Sequence, residues 1–211
     1  GAGLAGRRGP YGPGDVDHFG SLSRALPALL DGGALARAAA AEPLPAEVWL
    51  PDLQMMAARE TPGRIDGLYL AAWGGHNAQS HNHNDVGNVI VFADGRPLLV
   101  DAGVGEYTSK TFGPQRYDIW TMQSGWHNLP SVNGQDQGDG AAFRARDVAF
   151  AVTPSTVRLS LDLAPAYPPD AKLARFRRDV VLDRRRGEVL IAEDYALGEC
   201  REPLRLHFLA A

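Results

Sequence analysis

Between positions 157 and 163 the chain reads VRLSLDL, so Val157, Leu159, Leu161 and Leu163 alternate with Arg158, Ser160 and Asp162. A period of two puts every apolar side chain on one face of an extended strand and every polar one on the other. A strand of this kind is stable only when a second layer covers its apolar face. Similar short runs occur in GLYLAAW, NVIVFADG, RPLLVDAG, DVAFAVT, RFRRDVVLD and EVLIAEDYAL, each bounded by turn residues. That is the pattern of an antiparallel, mainly β domain. Asp94-Gly95, between the second and third of these runs, fits a tight hairpin turn.

The first 45 residues have a different texture. Positions 1–20 are rich in Gly and Pro and read as a loop or arm. From Ser21 to Ala41, the spacing of Leu22, Leu26, Leu29, Leu30 and Leu35 predicts two short helices broken at Gly32-Gly33, the remnant of a helical N-terminal domain. The start GAGLAGRRGPYGPG has neither an initiating Met nor an apolar signal core, and reads as the cut edge of something larger. No apolar run reaches the ~18 residues that a membrane span needs. With a net charge of -4 and a pI near 5.8, the chain has no overall basic field to attract nucleic acid. The single cysteine, Cys200, excludes a disulfide framework and a Cys-rich zinc site, so any metal must take nitrogen and oxygen ligands.

Three of the six histidines fall in GGHNAQSHNHNDVGN, residues 74–88. In an extended strand His81 and His83 point the same way, with Asn82 and Asn84 on the other face. An i, i+2 imidazole pair can serve one zinc if further ligands arrive from elsewhere. Asp101, after the apolar run Pro97–Val100, and His127, between Trp126 and Leu129, are the candidates. Neither sits in a freely solvated setting, and a partly buried Asp needs a partner. His76 reads as an ordinary hydrogen-bonded histidine. The H-x-H-x-D-H pattern of metallo-β-lactamases fails at Val86, where a histidine is required. A cupin-like G-x5-H-x-H match at Gly75, His81 and His83 lacks its Glu, with Gly87 and Asn88 in that place.

The stretch from SHNHNDVGNVIVFADGRPLLVDAG to SGWHNLPSVNG resembles the C-terminal β domain of heparinase II/III-like polysaccharide lyases, a superfamily that includes oligoalginate lyases. The likeness runs from about Glu47 to Gly138. It implies an antiparallel β-sandwich over residues 46–211, truncated at its C-terminus, with residues 1–45 left from an α/α toroid. It also implies that His81 lies in the active site and that His83, Asp101 and His127 bind one mainly structural zinc. The expected partner is an acidic polysaccharide, heparin- or heparan-like or alginate-like, cleaved by β-elimination in a periplasmic, cell-envelope or secreted setting. In such lyases the toroid supplies an asparagine or histidine for the sugar carboxylate and the usual tyrosine donor. Within this chain Tyr117 is the best available tyrosine, with Arg116 and Gln115 beside it as candidate anion contacts. Arg184–Arg186 reads as a solvated hairpin turn before Gly187. Two other readings stand beside the lyase: a non-catalytic, zinc-stabilised carbohydrate-binding module, and a cupin-like metal enzyme.

Overall fold

The computed structural model describes residues 44–211 together with Leu26 and Leu30, both of which are helical. The rest of the expected arm and helices lies outside the described residues. In chain order the strands are β1 (Glu47–Leu50), β2 (Met55–Arg59), β3 (Leu68–Trp73), β4 (His76–Asn77), β5 (Val89–Ala93), β6 (Arg96–Leu99) and β7 (Pro130–Ser131), followed by β8 (Gly140–Arg144), β9 (Arg146–Val152), β10 (Thr156–Asp162), β11 (Leu173–Asp183), β12 (Glu188–Leu197) and β13 (Arg205–Leu206). One antiparallel sheet runs β1-β2-β3-β5-β6 and a second runs β12-β11-β10-β9, while β4-β8 and β7-β13 form two-stranded ribbons.

The alternating run at 157–163 is the heart of the second sheet. Val157, Leu159 and Leu161 on β10 and Phe176, Val180 and Leu182 on β11 share one core with Met56, Ala58, Leu70, Ala72, Val89 and Val91 of the first sheet. Each such large apolar side chain contributes about 1.5–3 kcal/mol on burial, which favours face-to-face packing of the two sheets. One residue breaks the apolar row on β11. Arg178 occupies the position between Phe176 and Val180 and is 1% exposed.

Turn chemistry follows the sequence closely. Asp94 (φ 51°) and Gly95 (φ 71°) both have positive φ, as a two-residue type I′ hairpin requires, and join β5 to β6. The Asp183 carboxylate accepts the backbone N–H groups of Arg185 and Arg186 at the β11–β12 turn, while Arg184 folds back to donate to the Arg59 and Ala46 carbonyls. The arginine run is therefore the hairpin turn expected. At Gly87 (φ 90°) a Cβ would lie 2.6 Å from a Leu163 methyl, so only glycine lets this turn rest on the end of the alternating run. That contact sets the histidine-rich loop on the core.

Candidate metal centre and substrate groove

Three separate segments bring the candidate ligands together. The β5–β6 hairpin delivers Asp101 just past its second strand. Three successive 3-10 turns, Arg116–Asp118, Trp120–Met122 and Ser124–Trp126, deliver His127 as the residue that ends the last of them. The loop entering β5 carries His83. One donor atom from each of His83, Asp101 and His127 lies within 4.8 Å of the others.

The hydrogen bonds at this cluster restrict what can occupy it. His127 is fully buried, its Nε2 lies 3.0 Å from the Thr121 carbonyl and its Nδ1 lies 2.9 Å from Asp101 Oδ2. A carbonyl oxygen can only accept, so Nε2 carries the proton. The Nδ1 of a neutral ring then turns a lone pair toward a carboxylate oxygen. Two acceptors at 2.9 Å require a cation between them, which is either the second imidazole proton or a metal ion. Asp101 is otherwise satisfied by Asn88 Nδ2 at 2.7 Å and the Gly103 N–H at 2.8 Å. His83 faces His127 with ring centroids 5.3 Å apart, and burial, followed by the neighbouring His127, pushes its pKa down, which keeps it in the neutral form a metal needs. Two nitrogens and one oxygen, with a hydrogen bond orienting the buried imidazole, are a donor set suited to zinc.

Sequence reasoning missed the layer that holds these ligands. Asn88 Oδ1 accepts the Val89 and Asn128 N–H groups, tying Asp101's partner to the residue after His127. Asn128 Nδ2 donates to the Val89 and Val100 carbonyls, at 2.8 and 2.9 Å, bracketing the β5–β6 hairpin. From the opposite sheet, Arg178 Nη1 donates to the Gly87 carbonyl at 2.8 Å and the Asn128 carbonyl at 2.7 Å, and its Nε donates to Glu193 Oε1 at 2.9 Å. The signal for Arg178 was visible as a charge at a core-facing position of RFRRDVVLD.

The extended H-N-H expectation is corrected. Residues 81–84 form no strand, and His81 sits in the left-handed region at φ 60°. The two histidines therefore diverge. His83 turns inward to the cluster, while His81 is exposed and packs edge-on against Phe112 at 5.2 Å. His81 lines an open groove of about 430 Å³ together with Asn82, Arg116, Tyr117 and Asp139. Arg116 is occupied differently from the anion contact expected, because its two terminal nitrogens donate to the Thr111 and Asn82 carbonyls and so fix the groove wall. Gln115 is exposed and is not among the residues lining this groove. Burial raises the Tyr117 phenol above its ordinary value, against the pull of Arg116 and with help from the Asp139 carboxylate. Tyr117 is thus protonated at neutral pH.

Two groups at the cluster hold protons in the metal-free state. Burial pushes Asp85 up to about 7, and His127 is held above its ordinary 6.5 because the Asp101, Asp85 and Thr121 oxygens outweigh the cost of burying its charge. Both folded-state values exceed the unfolded ones. Asp85 contributes stability that is complete below its ordinary 3.8 and is lost by about pH 7, and His127 contributes stability that is lost as pH rises from 6.5 through its raised value. Chelator-treated protein should therefore have a higher urea midpoint at about pH 5.5 than at about pH 8, and added zinc should stabilise it more at the higher pH. Equal midpoints at the two pH values would show that neither proton is held.

The fold of this chain recurs in proteins of known structure. In fold, it is similar to the heparan sulfate lyase HepC from Pedobacter heparinus (TM-score 0.59, 17% identity, 83% of this chain and 26% of that one). It is also similar to the heparinase III BT4657 gene product (TM-score 0.60, 16% identity, 90% of this chain and 28% of that one) and to a further heparinase III (TM-score 0.55, 17% identity, 77% and 24%). The chain thus spans about a quarter of the length of each of these structures. No curated protein matches it. Residues 68–211 match the family described as heparinase II/III-like, C-terminal, which is more than half of the chain, so the chain belongs to that family.

Proposed function

We propose that this chain is the β-domain part of a polysaccharide lyase that cleaves uronic-acid-containing glycans by β-elimination. The observation that carries the reading is the divergence of His81 from His83: one imidazole stands exposed in a groove beside Tyr117, while its neighbour closes a His–Asp–His cluster behind it. Elimination removes the proton α to the sugar carboxylate and expels the 4-linked oxygen. A base, an acid and neutralisation of the carboxylate are all required. His81 serves as the base or the carboxylate neutraliser. Tyr117, kept protonated, is the candidate within this chain to donate to the leaving oxygen. Zinc at His83, Asp101 and His127 would supply a structural cross-link that fixes the turn from which His81 projects.

A groove open on one side suits a site completed by a second domain, and the length of the matched structures leaves room for one. We place the remaining carboxylate contacts there. The experiment has two parts. Metal analysis of purified protein should give one zinc per chain, and its absence would remove the cross-link from this account. A panel of uronate polymers, followed by the ultraviolet absorbance of unsaturated product, should show turnover by the complete polypeptide and nearly none by the 211-residue chain, because groups that act as a unit lose their effect together. Robust turnover by the short chain would instead make the β domain self-sufficient, with Tyr117 as its acid. Binding without turnover in either form would favour a carbohydrate-binding module.

A further inference from the structure

A second groove, of about 540 Å³, abuts the same two-stranded ribbon that borders the first. Asn77 and Gly140 of the β4-β8 ribbon line the His81 groove, whereas His76 and Arg144, cross-strand partners in that ribbon, line the second. Gly140, Ala142 and Arg144 alternate onto one face of β8, Gly140 at the first groove and Ala142 and Arg144 at the second, so about 13 Å of ribbon separates the two grooves.

The charges in this second groove are not equivalent. Arg146 is committed to Asp162 at 2.5 Å and reaches Asp147 at 3.6 Å. Arg144 makes no hydrogen bond or ion pair among the described residues. His76 Nδ1 accepts the Ala78 N–H at 3.1 Å, so in the neutral ring Nε2 bears the proton and is a donor. Asp52 supplies an acceptor on the rim, and Ala142 and Pro165 supply apolar surface. A guanidinium with no partner among the described residues, one imidazole N–H, one carboxylate and an apolar patch match a sugar that carries an anionic group and hydroxyls.

We propose that this groove is a second sugar subsite, in which Arg144 and His76 hold the carboxylate or sulfate of a glycan residue near the one seated at His81. The ligand class rests on the lyase reading above, while the site itself rests on the groove and on donors that have no partner among the described residues. A polymer lying across the ribbon would occupy both grooves, and a short oligomer would fill only the first. Contacts remote from the reacting bond then add affinity in proportion to chain length.

The test is titration of the full chain, wild type and Arg144→Ala, Arg144→Lys and His76→Ala, with size-graded oligomers of an unsulfated polyuronate and of a sulfated glycan. For oligomers long enough to span both grooves, Arg144→Ala should weaken binding about 10-fold, as expected for one lost charge-assisted contact. Arg144→Lys should recover part of that loss, and the wild-type to Arg144→Ala ratio should fall toward one as the oligomer shortens. The two ligand series distinguish a carboxylate site from a sulfate site. A ratio near one at every length, a loss that is independent of length, or a wild-type chain that binds neither series would overturn the subsite. If the complete polypeptide forms no unsaturated product from any polymer yet the length-dependent loss persists, the lyase reading fails and the subsite stands.

Discussion

Replacing His81 in the complete polypeptide should lower turnover by about 100-fold or more, the usual effect of losing a positioned general base, while zinc content and the unfolding midpoint stay at wild-type values. Asn is a better replacement than Ala. His81 sits at φ 60°, a conformation that Asn adopts at little cost and that costs most other residues about 1–2 kcal/mol. His81→Asn therefore removes the imidazole without disturbing the turn. Because His81 is exposed and its ring packs against the exposed Phe112, its loss leaves no cavity. His83→Ala is the contrast. It takes one donor from the cluster and should lose metal and stability together. Equal, mild losses from the two variants would make His81 a structural residue and leave the groove without a base.

Much of this arrangement was legible in the letters, because two kinds of signal are local. The period of two at 157–163 survives as β10, and the Asp-Gly pair survives as the β5–β6 turn, since both follow from backbone geometry that neighbouring residues dictate. His83, Asp101 and His127 were legible as candidate ligands through the family resemblance, and the structure brings the three together. What was not legible depends on distant contacts. The H-N-H stretch looked extended because nothing in its own sequence forbids a strand, yet the Arg116 guanidinium on the Asn82 carbonyl and the Gly87 turn against Leu163 impose a bend that separates the two histidines. Arg116 and Gln115 were matched to an anion because charge and polarity suggest one, but the Arg116 guanidinium donates to the Thr111 carbonyl, five residues away, and to the Asn82 carbonyl, 34 residues away. His76 read as a bland, hydrogen-bonded residue, and its Nδ1 does make that local bond. Only the ribbon, by setting it opposite Arg144, gives its other nitrogen a setting.

The largest stability effect should come from Arg178, a residue remote from the groove in sequence and in role. Its guanidinium is 1% exposed and satisfies three groups at once: the carboxylate of Glu193, the Gly87 carbonyl and the Asn128 carbonyl. Among the described residues Glu193 has no second partner, since its Oε2 is buried without a hydrogen bond. Arg178→Met keeps the length and most of the volume but leaves a nearly buried carboxylate uncompensated and two carbonyls without their donor. Breaking a buried ion pair from one side costs about 3–5 kcal/mol, so urea unfolding should show a loss of that size. The double variant Arg178→Met, Glu193→Leu removes the stranded charge and should recover a large part of it, because an apolar pair in place of a buried ion pair is often neutral. What the double variant fails to recover is the contribution of the two carbonyls, about 1–3 kcal/mol for each buried acceptor left unmade. Those carbonyls belong to the residues beside Asn88 and His127, so the same unrecovered part should appear as weaker zinc binding in the double variant. A single variant within about 1 kcal/mol of wild type, or a double variant with wild-type zinc affinity, would show that the opposite sheet does not hold the cluster in place.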